Sequence, residues 1–245
     1  MEGKVDGMGA RSGHREQGRR AGSQPLLNRR ARKLEGVPAD RLHLVRHGEV
    51  HNPRRVLYGR LPNFALSAAG RQMARQAAEY VHGLKRPVAA LVCSPLQRAR
   101  ESAEPFAELF GIEPVIDARV IEPTNVFEGK RMTRAVVNPA NWWHLRRPSL
   151  PSWGEPYAQV VARMDAAMTD AWTRTETGDA VIVSHQLPIW VTHLAIEGLP
   201  AKHDPRRRRC ALSSVTSFAR SGEGWVEVGY AEPATVAGSI DVGAV

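Results

Sequence analysis

The sequence predicts an α/β protein of three layers, α/β/α, with helices on both faces of a mostly parallel central sheet. Three observations carry this expectation. Short apolar runs of strand length recur at Leu42, Leu44 and Val45, at Val88–Cys93 and at residues 180–183, as strands buried on both faces read. Between them lie longer segments with apolar residues at helical spacing, so that strand and helix patterns alternate along the chain. The first and last of these runs each end on a histidine, at Arg46-His47-Gly48 and at Ser184-His185, and in open α/β sheets ligands bind beyond the C-terminal ends of strands.

Taken in order, the first strand stops at Arg46-His47-Gly48 and gives way to a loop rich in Pro and Arg. Ser67 then stands where an N-cap belongs, ahead of Met73, Ala74, Ala77, Ala78 and Val81 at helical spacing; a helix through about Tyr80 is expected, ended by Gly83. After the strand Val88–Cys93, Ser94-Pro95 is expected to open a helix with Ser as the cap and Pro in the first turn, which places Arg98 in its opening turns. A short strand at Val115-Ile116 leads to Val120-Ile121-Glu122-Pro123, and a middle region with Trp142, Trp143 and Trp153 follows without a readable period. A helix over 157–173 is predicted from Val160, Val161, Met164, Ala167, Met168 and Ala171. Gly178-Asp179 turns the chain into the strand 180–183, a helix over 187–196 follows, and 212–218 with 225–228 reads as a closing hairpin.

The chain of 245 residues, 42% hydrophobic and 24% charged, can bury a full core. Its net charge of +9 admits nucleic acid, acidic membrane surfaces or small anions as partners, and the position of the charge separates them. Residues 1–38 hold nine Lys/Arg against four Asp/Glu, a surplus of five, among glycines and few apolar side chains. Such a segment cannot offset its ordering entropy by burial. The expected organisation is a disordered basic tail at 1–38, a catalytic domain over 39–232 and a flexible tail at 233–245. No apolar stretch approaches the roughly 20 residues that span a bilayer, and the N-terminus lacks a secretory apolar segment, so a cytoplasmic protein is expected. Cys93 and Cys210 lie far apart with no Cys-x-x-Cys spacing, and reduced thiols are expected.

Arg46, His47, Arg98, Glu122 and His185 come from four separate elements whose ends can converge on one crevice. Their chemistry is coherent: two arginines can hold a phosphoryl group, two histidines can act as nucleophile and charge stabiliser, and a carboxyl group can supply a proton to a leaving group. The ordered series Leu44-Val45-Arg46-His47-Gly48-Glu49, Leu66-Ser67 through Gly70, Ser94-Pro95-Leu96-Gln97-Arg98-Ala99, Val120-Ile121-Glu122 with Glu128-Gly129, and Val183-Ser184-His185 resembles the histidine phosphatase superfamily, the phosphoglycerate mutase-like fold. The resemblance runs from about Leu42 to Phe218. It implies that His47 attacks phosphorus, that Arg46, Arg98 and His185 bind phosphoryl oxygens, and that Glu122 donates the proton, with no metal or other cofactor.

Three positions depart from the family pattern. Asn52, a candidate phosphate contact, lies one residue nearer the nucleophile than the family's loop asparagine. Gln186 replaces the glycine common after the second histidine, where it either reaches the substrate or narrows the pocket. Around Pro62-Asn63-Phe64 the family's frequent Asp is absent. Glu128 competes with Glu122 as the acid, and Glu49 is expected to hydrogen-bond behind the motif. Trp142, Trp143, His144, Arg146 and Arg147 are read either as a lid over the crevice or as packing, and residues 206–209 as a solvated basic loop that could alternatively bind a substrate phosphate.

The function expected is a metal-independent phosphomonoester phosphatase acting through a phosphohistidine on His47. Phosphatase is preferred to mutase because the segment between Glu122 and His185 is compact beside those of the mutases the family includes. A mutase-type phosphotransferase and a non-catalytic phosphate-binding module are the alternatives. A small phosphorylated substrate is the expected partner; membrane and nucleic acid are not, and the oligomeric state stays open, a homodimer included.

Overall fold

The computed structural model describes residues 39–135, 137–145, 153–175, 177–222 and 224–235. The basic segment 1–38, Arg146, Arg147 and residues 236–245 lie outside them. In chain order the elements are β1 (Leu42–Arg46), α1 (Ala68–Gly83), β2 (Val88–Cys93), α2 (Gln97–Phe110), β3 (Val115–Ile116), the short helices α3 (Met132–Ala135) and α4 (Trp142–Leu145), α5 (Tyr157–Arg174), β4 (Asp179–Ser184), α6 (Gln186–Ile196), β5 (Val215–Ser221) and β6 (Gly224–Ala231).

One sheet of order β3-β2-β4-β1-β5-β6 runs through the domain. Strands β1 to β4 are mutually parallel, β5 is antiparallel to β1, and β5 and β6 form an antiparallel hairpin at the edge. Successive strand side chains point to opposite faces, so a strand covered on both sides must be apolar throughout. Leu42, Leu44, Ala180 and Ile182 pack against α5 and α6 through Val160, Met164, Met168, Leu187 and Val191. Val45, Val181 and Val183 pack on the other side against α1 and α2 through Ala77, Val81, Ala103 and Phe106. Burying each large side chain stabilises the fold by about 1.5–3 kcal/mol. The expected three-layer architecture is the one observed, and among the described residues no helix is long and apolar enough to cross a membrane.

The register matters most at the C-terminal ends. Arg46 pairs with Ser184, and the His47 amide donates to the Ser184 carbonyl over 3.1 Å, so His47 and His185 leave the sheet side by side. The Ser94 amide donates to the Val183 carbonyl over 3.1 Å, which brings the end of β2 to the same place.

Several boundaries differ from expectation: Gly83 is the last residue of α1 with Leu84 as its cap, and two others have a visible cause. Helix α2 begins at Gln97 with Leu96 in the capping position, because Ser94 is held at the end of β2 and its hydroxyl bonds His185. Strand β5 begins at Val215 rather than at 212, because Leu212 and Ser213 form a turn with Ser213 at φ 55°. Ser67 does cap α1, its hydroxyl accepting from the Gly70 amide over 2.9 Å. Gly70 must lack a side chain, since a Cβ there would collide with the Glu49 carbonyl oxygen, and one on Gly48 with the carbonyl of Gly70. Chain at the start of the expected C-terminal tail is docked: the Thr235 amide donates to Gln76 over 3.1 Å.

At the opposite end of the sheet, Asp179 accepts from the Arg41 amide and from Arg86 through Nε and Nη2, at 3.1, 2.8 and 2.9 Å. His43 Nε2 lies 3.2 Å from the same carboxylate, with its Nδ1 2.8 Å from the Ser217 hydroxyl. Burial pushes the Asp179 carboxyl up, but the hydrogen bonds from His43 and Arg86 outweigh it and hold the group below the ordinary carboxylate range. A depressed acid contributes its stability above its unfolded pKa and loses it as pH falls through the folded one. Asp179→Asn is therefore expected to cost about 3 kcal/mol at pH 7 by chemical denaturation. The gap to the native protein should narrow toward about pH 3; a gap independent of pH would exclude the ionised pairing.

Candidate active site

Five side chains from four elements meet beyond the C-terminal ends of β1, β2 and β4. Arg46, His47, Arg98, Glu122 and His185 are all buried. The rings of His47 and His185 lie 5.2 Å apart between centroids, inclined by 60°. Arg98, in the first turn of α2, donates from Nε to His47 Nε2 over 3.3 Å and from Nη2 to the Gly59 carbonyl over 2.7 Å. Arg46 donates from Nη1 to the Cys210 carbonyl over 2.7 Å. The Tyr58 ring lies under the Arg98 guanidinium, 4.7 Å from its carbon, and edge-on to His47.

The two neighbours of the His47 ring specify one tautomer. Its Nδ1 lies 2.7 Å from the Gly48 carbonyl oxygen, which can only accept, so Nδ1 carries the proton. Its Nε2 receives a donor from Arg98 and must present a lone pair. Burial, then the charges of Arg98 and Arg46, hold the ring well below its ordinary pKa, against the hydrogen bond to Gly48. The result is a neutral imidazole whose Nε2 pair points at the Arg98 guanidinium. Ser102, one turn beyond Arg98, accepts from the Gly48 amide over 3.1 Å and donates to the Arg98 carbonyl over 2.7 Å, tying the motif after β1 to α2.

His185 is also held neutral, by burial first and then by Arg98, with His47, Arg163 and Arg46 adding to it. Its Nε2 lies 2.8 Å from the Ser94 hydroxyl and its Nδ1 3.7 Å from Glu122 Oε2. Glu122 follows a single 3-10 turn, Ala118–Val120, whose exit is pinned by three donors. Ser184 Oγ donates to the Val120 carbonyl over 2.7 Å, Arg163 to that of Arg119, and Arg60 Nε to that of Glu122 itself. Burial raises the Glu122 pKa, opposed by Arg98, Arg208, Arg46 and Arg163. Among the described residues its Oε1 has no hydrogen-bond partner. Burial thus holds the Glu122 carboxyl above the ordinary carboxylate range, next to the two neutral imidazoles.

The remaining candidates divide. Asn52 lies in the loop after β1 with both ends of its amide on Val56, accepting from its N–H at 3.2 Å and donating to its carbonyl at 2.8 Å, so the side chain braces its own loop. Gln186 reaches the site's edge, where its Oε1 accepts from Arg208 over 3.1 Å. Glu128 accepts from the Arg60 amide over 2.9 Å and fastens the loop under Arg98, while Glu49 accepts from Ser67 over 2.6 Å. Trp142 and Trp143 are exposed on α4, and His144 stands edge-on to Phe127. Residues 206–209 do not behave as one solvated loop: Arg207 and Arg209 are exposed, whereas Arg208 and Cys210 turn inward. That inward-outward alternation, together with Tyr58, Ser94 and Ser102, is what the sequence reading missed.

One group of described residues has donor spacing for a metal ion, His193, Glu197 and Glu227. Arg209 Nη2 already lies 2.6 and 2.7 Å from the two Glu227 oxygens, so the group carries its own cation.

A strand-end crevice gathers paired histidines and arginines, and the chain belongs to the histidine phosphatase superfamily (branch 1), whose family model matches residues 42–233. It is 48% identical over 199 residues to the uncharacterized protein Rv0525 of Mycobacterium tuberculosis, covering 80% of this chain and 97% of that one. It is 30% identical over 183 residues to a probable phosphoglycerate mutase GpmB of Erwinia tasmaniensis, covering 71% and 83%. In fold it matches the phosphoserine phosphatase of Entamoeba histolytica solved with 3-phosphoglyceric acid, at a TM-score of 0.65 and 20% identity, over 78% of this chain and 95% of that one.

The tautomer is open to direct measurement. Nitrogen-15 NMR of the His47 ring is expected to show a protonated Nδ1 and a bare Nε2 at pH 6, and Arg98→Gln should raise the pKa toward the ordinary histidine value by removing the nearer charge. A cationic ring at pH 6 in the native protein would contradict the geometry.

Proposed function

We propose that the protein is a metal-independent phosphomonoester phosphatase, its catalytic domain spanning residues 39–232, in which His47 forms a phosphohistidine. The observation that carries this is the neutral His47 with its Nε2 pair directed at the Arg98 guanidinium. A phosphoryl group entering there takes over the donors of Arg98, Arg46 and His185 on its oxygens, and its phosphorus lies within reach of the lone pair. In-line attack forms the N–P bond and breaks the P–O bond, and Glu122 gives its proton to the departing oxygen. Water then attacks phosphorus, returns a proton to Glu122 and releases inorganic phosphate with His47 neutral again. The two arginines supply the electrostatic stabilisation of the equatorial oxygens that a divalent ion supplies in other phosphoryl transfers.

A mutase reading differs only in the acceptor, and it is favoured by the likeness to the probable phosphoglycerate mutase. The discriminating measurement is inorganic phosphate release from a panel of small phosphomonoesters with EDTA present. Turnover that survives EDTA and falls by at least about 10³-fold in His47→Ala supports the proposal; stoichiometric transfer to a second hydroxy acid without phosphate release would favour the mutase.

The acid is tested through the leaving group and pH. An alkyl phosphate needs its departing oxygen protonated and p-nitrophenyl phosphate does not, so Glu122→Gln is expected to lose about 10²–10⁴-fold on the first and much less on the second. Glu128→Gln should lower both alike. The reaction needs His47 without a proton and Glu122 with one. Activity on alkyl phosphates should therefore rise with pH through the depressed His47 value and fall again through the elevated Glu122 value, a bell whose alkaline limb disappears in Glu122→Gln.

A further inference from the structure

The hydrogen bonds around His185 give Ser94 a part that the reaction has not yet used. Ser94 is buried at the end of β2. The pairing of Cys93 with Val183, and the 3.1 Å bond from the Ser94 amide to the Val183 carbonyl, hold it beside the end of β4. Among the described residues its hydroxyl meets two groups: the Leu96 amide at 3.4 Å, which can only donate, and His185 Nε2 at 2.8 Å. A hydroxyl carries one proton and two acceptor lone pairs. The Leu96 N–H takes a lone pair, so His185 Nε2 is the acceptor open to the proton, and a buried hydroxyl proton without an acceptor is costly. An Nε2 that accepts leaves the proton of the neutral ring on Nδ1.

The tautomer matters because of what Nδ1 faces. His185 Nδ1 and Glu122 Oε1 are buried polar atoms with no hydrogen-bond partner among the described residues. Nδ1 stands 3.7 Å from Glu122 Oε2, too far for a hydrogen bond, and the His47 ring lies 5.2 Å away between centroids. A buried N–H without an acceptor is uncommon in a folded protein and calls for a reason. We infer that Ser94 is a positioning residue: its hydroxyl donates to His185 Nε2, fixes the Nδ1–H tautomer, and so presents the one N–H of a neutral imidazole to a phosphoryl oxygen in the crevice. The inference rests on the reading of the crevice as a phosphoryl site. In the opposite tautomer His185 would present a lone pair to that oxygen, and attraction would become repulsion. At His47 a carbonyl and a guanidinium select the tautomer; at His185 a hydroxyl does so without adding charge.

Nitrogen-15 NMR of the His185 ring in the native protein at neutral pH is expected to show a protonated Nδ1 and a bare Nε2. A bare Nδ1 there overturns the inference, and this reading needs no variant to fold. In Ser94→Ala a sizeable share of the proton should move to Nε2; an unchanged tautomer overturns the inference too. The oxyanion is tested by calorimetry with inorganic phosphate on the full chain. Ser94→Ala is expected to weaken phosphate binding by roughly 5- to 50-fold, up to the worth of a hydrogen bond to a charged group. Made in a His185→Ala background, the same substitution should cost no more than about twofold, because Ser94 acts through that ring. Equal losses in the two backgrounds give Ser94 a structural part only and overturn the inference, as does a native protein with the expected tautomer that binds no phosphate. None of these measurements needs turnover, so the loss of the phosphatase reading in the EDTA panel and the loss of this inference are told apart.

Discussion

Two guanidinium charges taken out of water set the terms for everything around them. A buried cation costs several kcal/mol unless its donors are met, and Arg46 and Arg98 meet part of that cost with the carbonyls of Cys210 and Gly59 and the face of Tyr58. They also drive protons away from their neighbours. His47 and His185 are neutral because they are buried beside those charges, and the same charges temper the rise of Glu122 without reversing it. A single electrostatic choice thus keeps the imidazole lone pair free of a proton and suits the crevice to an anion.

Holding like charges together needs a frame that does not relax. The frame is the parallel pairing of β1 with β4, which fixes where His47 and His185 leave the sheet, and the Gly48–Gly70 crossing, where two stretches of backbone approach too closely for any side chain. Glu122 lies outside the sheet and relies on donors from Ser184, Arg163 and Arg60 instead. Both arginines of that set also pair with Glu155, so the acid's loop is braced as a unit.

Elements buried on both faces were legible because burial writes itself as an uninterrupted apolar run: β4 is buried at every residue, and α1 and α5 show their inward faces at helical spacing. That Arg46, His47, Arg98, Glu122 and His185 would converge was legible because each sits where a strand or helix pattern ends. Side chains that act on neighbours within a loop were not. Ser94 looks like a helix cap because serine before proline usually is one, yet tertiary contact with His185 claims its hydroxyl. Asn52 joins both ends of its amide to Val56, a contact within its own turn that spacing does not announce. Nothing in a run of four arginines distinguishes the third until the chain on either side is placed, since which of them faces inward depends on Cys210 and Gln186 being where they are.

The pairing of Arg46 with Ser184 joins residues 138 positions apart. Most of the domain lies between them, so the crevice cannot be assembled from local contacts, and the strand that completes it is among the later segments to leave a ribosome. Closing so long a loop is entropically slow, and contacts of this separation form late in folding. Partly folded chains, in which these histidines and arginines are not yet gathered, therefore lack the crevice: it arrives only with the finished sheet.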